Sequence, residues 1–227
     1  MKKRIFELDL LRFIAIIIML IYHLAYDIKY YWPKDINLEG LFWIIIANIG
    51  QFLFIFVAGI SSGFSKNSFK RGLRVFGIGI LVTIATYIFI EYEYVRFGIL
   101  HFLGVSMMLY PLLSKLNNRI LIPFAIISYY LGYVFKNITV DTFLLLPFGL
   151  YYNGFASIDY FPIFPYISYF ILGIVAYKSI YSKGRRLFNV NREFKALEFI
   201  SRNSLFIYII HQPVFLGIIY LLRNLQK

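Results

Sequence analysis

Seven long apolar runs alternate with short polar stretches along the chain, at about 8–26, 41–64, 73–90, 97–114, 120–135, 166–180 and 204–222. Each approaches the roughly 20 apolar residues that carry a helix across a hydrocarbon core. Each therefore predicts a membrane-spanning helix, since lipid offers no partner to backbone N–H and C=O groups left outside one. An eighth apolar piece, FLLLPFGL (143–150), is too short to cross and predicts a re-entrant or interfacial segment. Between the last two runs, SKGRRLFNVNREFKALEFI mixes basic and apolar positions and predicts an amphipathic helix on the membrane surface. The predicted fold is an all-α, polytopic helical bundle, one domain over 1–227, because the chain shows no internal repeat, low-complexity tract or linker.

Composition agrees with the pattern. Of 227 residues 60% are hydrophobic, 21% aromatic and only 15% charged, and the mean hydropathy is +0.73. Soluble domains run near 45–50% apolar and about 25% charged. The first run begins after MKKRIFE with no small-residue cleavage site, so a retained first helix is expected in place of a removed signal peptide. No cysteine is present, which excludes disulfides, thiolate catalysis and Cys-ligated metal.

The net charge of +12 would fit nucleic acid if position did not decide otherwise. The basic residues fall in short loops, where topology determinants and groups that meet lipid headgroups sit. No basic stripe is interleaved with exposed aromatics, so no nucleic acid is expected as a partner. With the N-terminus inside, sixteen Lys and Arg fall in inside segments and six outside. The count predicts a cytoplasmic N-terminus and an outside C-terminus.

What the pattern leaves unexplained is charge within the runs. In ELDLLRFIAIIIMLIYHL, Arg12 and His23 stand eleven residues apart, which is about 20° past three helical turns and roughly 16 Å along the axis. Asp9 lies one turn before Arg12 and Asp27 one turn after His23, so all four are expected on one face. Such a stripe should face the bundle interior or a wet cavity, because an ionisable group in lipid is costly. Arg12 can also snorkel to the interface. His101, about four residues into the fourth run, is expected at a depth similar to His23, near enough to share a site if their helices are neighbours. His211 is expected near mid-bilayer, on one face with Ser204 and Tyr208 by their i, i+4, i+7 spacing. For His101 and His211 an interhelical hydrogen bond serves equally well.

A neutral imidazole accepts a proton near neutral pH and is the usual general base. The three histidines are spread in depth without an H-x-x-x-H pair, so no metal site is expected. No G-x-S-x-G elbow is present, which favours direct transfer assisted by a base over a serine acyl-enzyme.

Arg12, ten residues and then His23 resemble the R-x10-H signature of membrane acyltransferases of the acyltransferase-3 type. The wider pattern is closer to the catalytic-domain family of heparan-alpha-glucosaminide N-acetyltransferase and its small prokaryotic relatives. The resembling stretches are LDLLRFIAIIIMLIYHLAYD, FLFIFVAGISSG, FGILHFLGVSMML, DYFPIFPYISYFILGI and NSLFIYIIHQPV. They cover most of the chain in order, and they are specific together. Phe13 departs from the glycine that relatives commonly carry after the arginine.

The resemblance implies an acetyltransferase in the cytoplasmic membrane of a prokaryote. It would move an acetyl or related acyl group from cytoplasmic acetyl-CoA to a hydroxyl or amine of an extracytoplasmic glycan or similar polar acceptor. His23 would be the base, Asp27 would orient its ring, and His101 would join them in catalysis. Arg12, Arg71, Arg74 and His211 would hold the donor, with Arg12 and His23 at two depths of one passage. Asp159 is expected to contact the acceptor, or to cap the sixth helix. Gln51 is expected on the substrate side, and the oxyanion donor is open among His101, Asn48, Gln51 and Tyr208. Membrane lipids are expected partners, and kinship suggests a homodimer. The rival reading is a transporter or flippase that uses the same polar stripe. No inverted repeat or pair of broken helices supports it, and binding of CoA would separate the two.

Overall fold

The computed structural model describes residues 5–32, 34–90, 92–188 and 194–225. Eight α-helices lie among them: α1 (Phe6–Tyr31), α2 (Leu41–Gly63), α3 (Ser68–Phe89), α4 (Ile99–Leu113), α5 (Asn118–Phe135), α6 (Ile163–Ser179), α7 (Lys195–Arg202) and α8 (Ser204–Leu225). No β-strand occurs among the described residues, only two isolated bridges, Phe97 with Tyr160 and Thr139 with Tyr151. The molecule is an all-α polytopic bundle. Each of the seven apolar runs lies on a helix, and six of those helices are long and apolar enough to cross a membrane.

α4 is the shorter one. Its 15 residues extend about 22 Å, less than the roughly 30 Å of a hydrocarbon core. Both of its ends are stopped by side chains from elsewhere in the chain. At the start, the Ile99 N–H donates to Asp159 Oδ2 at 3.1 Å. At the finish, Lys178 Nζ donates to the Ser114 carbonyl at 3.0 Å and to the Leu116 carbonyl. The FLLLPFGL piece is a 3-10 turn, Phe143–Phe148, closed by Gly149 at φ 106°, a left-handed conformation that glycine adopts without a Cβ penalty. In the predicted surface helix, residues 189–193 lie outside the described residues. The first part of the stretch is not helical as expected: a 3-10 turn, Tyr181–Lys183, is closed by Gly184 at φ 71°, and residues 185–188 follow without helix. The end of the stretch is α7, two turns long with Ser201 buried.

The chain divides into two compact units, with the boundary inside α2. One holds the residues up to Val57 and those from Arg186 onward. Here α1 packs against α7 and α8, and the Tyr22 and Trp43 rings bring α2 to α1 at 6.1 Å. The other, Ala58–Arg185, pairs α3 with α4 and α5 with α6. The α3–α4 approach is close enough that a Cβ on Gly72 would stand 2.6 Å from the Gly104 carbonyl oxygen. Small residues of this kind let backbones meet where lipid supplies no hydrophobic drive between helices. Phe102, Leu121, Phe170 and Ile171 are fully buried in the core of this second unit. Leu81, Ile84, Ile88 and Phe89 on α3 stay exposed, as residues facing acyl chains do.

Candidate active site

α1 places its polar residues where helical periodicity predicts, and they form two clusters. The first is at the beginning of the helix. Ser201 of α7 donates from Oγ to Asp9 Oδ1 at 2.5 Å and accepts from Arg12 Nη1 at 3.1 Å. The guanidinium lies 3.6 Å from the same Asp9 oxygen. Asp9 is 3% exposed, and this closed triangle is how a buried carboxylate is satisfied. One turn away, Glu7 Oε1 accepts the Leu187 N–H at 2.8 Å. Arg12 therefore anchors α7 to α1.

The second cluster lies three turns further along. His23 Nδ1 and His211 Nε2 are 3.1 Å apart, with ring centroids at 4.7 Å. The other nitrogen of His211, Nδ1, is 2.6 Å from the Tyr208 carbonyl oxygen, one turn back on α8. His211 is 8% exposed, and its ring also meets those of Tyr208 at 5.6 Å and Phe215 at 5.8 Å. Beside this pair, Gln212 Nε2 donates to Asp27 Oδ1 at 2.6 Å. Asp27 is wholly buried. Its Oδ2 and the Gln212 Oε1 are both buried without a hydrogen-bond partner among the described residues.

Asp27 was the expected orienter of His23, yet its bonded oxygen is given to Gln212, and His211 holds the His23 ring. His211, expected to hold the donor, lies against His23. Gln51 lies half-buried on α2, in the same unit.

Four expected site residues belong to the other unit. His101 Nδ1 accepts the Gly98 N–H at 3.2 Å, and its Nε2 is 3.3 Å from Thr83 Oγ1. Both ring nitrogens are thus engaged in starting α4 and joining it to α3. Asp159 caps α4, where capping of α6 was the structural expectation. Arg71 and Arg74 are exposed near the start of α3. An open cavity of about 430 Å³ in this unit is lined by Asn117, Asn118, Arg119 and Lys178, none of them an expected site residue.

Ser201 and Gln212 were not anticipated. Gln212 had a signal, being polar within the apolar run of α8 and adjacent to His211. Ser201 had none, since a serine in a mixed basic and apolar stretch is unremarkable.

Chemically, the second cluster offers imidazoles that can carry a proton and two buried oxygens that can accept from a ligand's O–H or N–H. A family model described as heparan-alpha-glucosaminide N-acetyltransferase, catalytic, matches residues 4–213, a stretch that takes in both clusters. No curated protein and no solved structure matches the chain.

Proposed function

Because the chain belongs to the heparan-alpha-glucosaminide N-acetyltransferase catalytic family, which points to a transmembrane acetyltransferase, we propose that it acetylates a hydroxyl or amine of an extracytoplasmic glycan or similar polar molecule. The donor is acetyl-CoA supplied from the cytoplasm of a prokaryotic cell. The observation that carries this reading is the 3.1 Å contact between His23 and His211. It joins the first and last of the resembling stretches at a single imidazole pair.

His23 acts as general base. It takes the proton from the acceptor's O–H or N–H as that atom attacks the thioester carbonyl. When the tetrahedral intermediate collapses, the C–S bond breaks. The departing CoA sulfur leaves with the proton that His23 held, and the base is regenerated. Asp27 Oδ2 and Gln212 Oε1 accept hydrogen bonds from the incoming acceptor, which satisfies two oxygens that have no partner among the described residues. Gln51 and Tyr208 are the candidates for stabilising the oxyanion, since Asn48 Nδ2 donates to the Ile44 carbonyl at 2.8 Å and both nitrogens of His101 are engaged. Arg71 and Arg74, exposed at a basic helix end with Lys66 and Lys70, attract the anionic donor on the cytoplasmic side. Arg12 serves the site through α7, which it ties to α1.

The test uses purified protein in lipid nanodiscs with acetyl-CoA and amino sugars or neutral oligosaccharides as probes, followed by free thiol release. Wild type is expected to release thiol only when an acceptor is present. His23→Ala should lower kcat by roughly 10²- to 10⁴-fold, the usual contribution of a positioned base. Unchanged turnover in that variant would remove His23 from the mechanism.

A further inference from the structure

The histidine pair carries information about protons that follows from its hydrogen bonds alone. The Tyr208 carbonyl oxygen has no hydrogen to give. The nitrogen 2.6 Å from it, His211 Nδ1, must therefore be the protonated one. A neutral imidazole carries one N–H, so His211 Nε2 presents a lone pair. That lone pair is 3.1 Å from His23 Nδ1, which makes His23 Nδ1 the donor. His23 then has its only proton on Nδ1 and a lone pair on Nε2. The opposite assignment fails at one end or the other, setting a lone pair against the Tyr208 oxygen or two lone pairs against each other.

We infer that His211 is a positioning residue which fixes His23 as its Nδ1–H tautomer and so makes His23 Nε2 the basic atom. The inference rests on the proposed role of His23, and it adds which nitrogen acts and what selects it. The device is local to α8. Tyr208 and His211 are three residues apart, so the helix itself sets the carbonyl beneath the ring. It requires no carboxylate, and the nearest one on α1, Asp27, is bonded through Oδ1 to Gln212. When His23 Nε2 takes a proton, the imidazolium still points its Nδ1–H at a neutral acceptor. The His211 ring and the Tyr208 carbonyl dipole then help to spread the new charge in surroundings with little water.

Two measurements on the full chain in nanodiscs test this. In protein labelled with ¹⁵N-histidine, two-bond ¹H–¹⁵N spectra assigned with His23→Gln and His101→Gln should show His23 protonated at Nδ1 and bare at Nε2. His211→Ala should produce a mixture of His23 tautomers. His211→Gln, whose side-chain oxygen can accept from His23, should restore the single form. In thiol-release assays with acetyl-CoA and glucosamine as the probe, His211→Ala should lower kcat about 10- to 100-fold, the range that follows removal of partners that orient metal-bound histidines. The KM for acetyl-CoA should stay within about twofold, and His211→Gln should recover most of the loss. A spectrum with the His23 proton on Nε2 would overturn the inference. So would a single unchanged tautomer in His211→Ala. The spectra decide the matter even if glucosamine is not turned over, so failure here is distinct from failure of the proposed reaction.

Discussion

Asp27 and Gln212 share one hydrogen bond beside the histidine pair. Each uses one polar atom on the other at 2.6 Å and buries an oxygen with no partner among the described residues. A half-satisfied buried pair depends strongly on both members, because removing one orphans what the other had bonded. Asp27→Ala should therefore cost about 1–3 kcal/mol of stability, read as a lower Tm in detergent. Asp27→Asn keeps an oxygen for Gln212 Nε2 and should recover most of that loss. If Asp27→Asn also raises KM for the acceptor at unchanged KM for acetyl-CoA, the orphaned oxygens belong to substrate recognition. Arg12 makes a different point at the same scale. A lone arginine in an apolar run reads as a snorkelling group, but its partners Asp9 and Ser201 hold it at a helix junction.

Among the elements, α4 depends most on residues far from it in sequence. Asp159 stops its first turn and Lys178 its last, while His101 bonds the Gly98 N–H and reaches Thr83 of α3. Ser157 adds to the seam at the entrance to α4, donating to the Tyr94 carbonyl at 3.1 Å. Asp159→Ala should lower stability by about 1 kcal/mol, the typical effect of losing a helix cap, and leave KM for acetyl-CoA unchanged. An unchanged Tm together with a raised KM for the acceptor would instead put Asp159 in the substrate site. The same element explains why His101 is left out of the proposed catalytic group, since its two nitrogens already have structural work.

For the whole molecule, the open question is direction. The basic residues favour a cytoplasmic N-terminus, and the proposed reaction needs that orientation to bring the donor to the basic end of α3. The absence of cysteine makes the check clean, because any single introduced cysteine is the only thiol. In intact cells, Lys136→Cys should react with a membrane-impermeant maleimide, whereas Lys70→Cys should react only after lysis. Labelling in the reverse order would invert the topology and remove the cytoplasmic donor from the mechanism.

The chain by itself determined the helices, because apolar runs of spanning length have one way to satisfy their backbones in lipid. It also determined the face shared by Asp9, Arg12, His23 and Asp27, since helical periodicity is local, and the family, through short stretches met in order. Tertiary structure alone decided what those residues touch. Periodicity says which way a side chain leaves its own helix and nothing about which helix lies opposite. His23 and His211 are 188 positions apart, and Arg12 and Ser201 189, separations over which no spacing rule operates. Hence His211 holds His23 where Asp27 was expected, and Ser201 and Gln212 entered the site only once α7 and α8 were packed against α1.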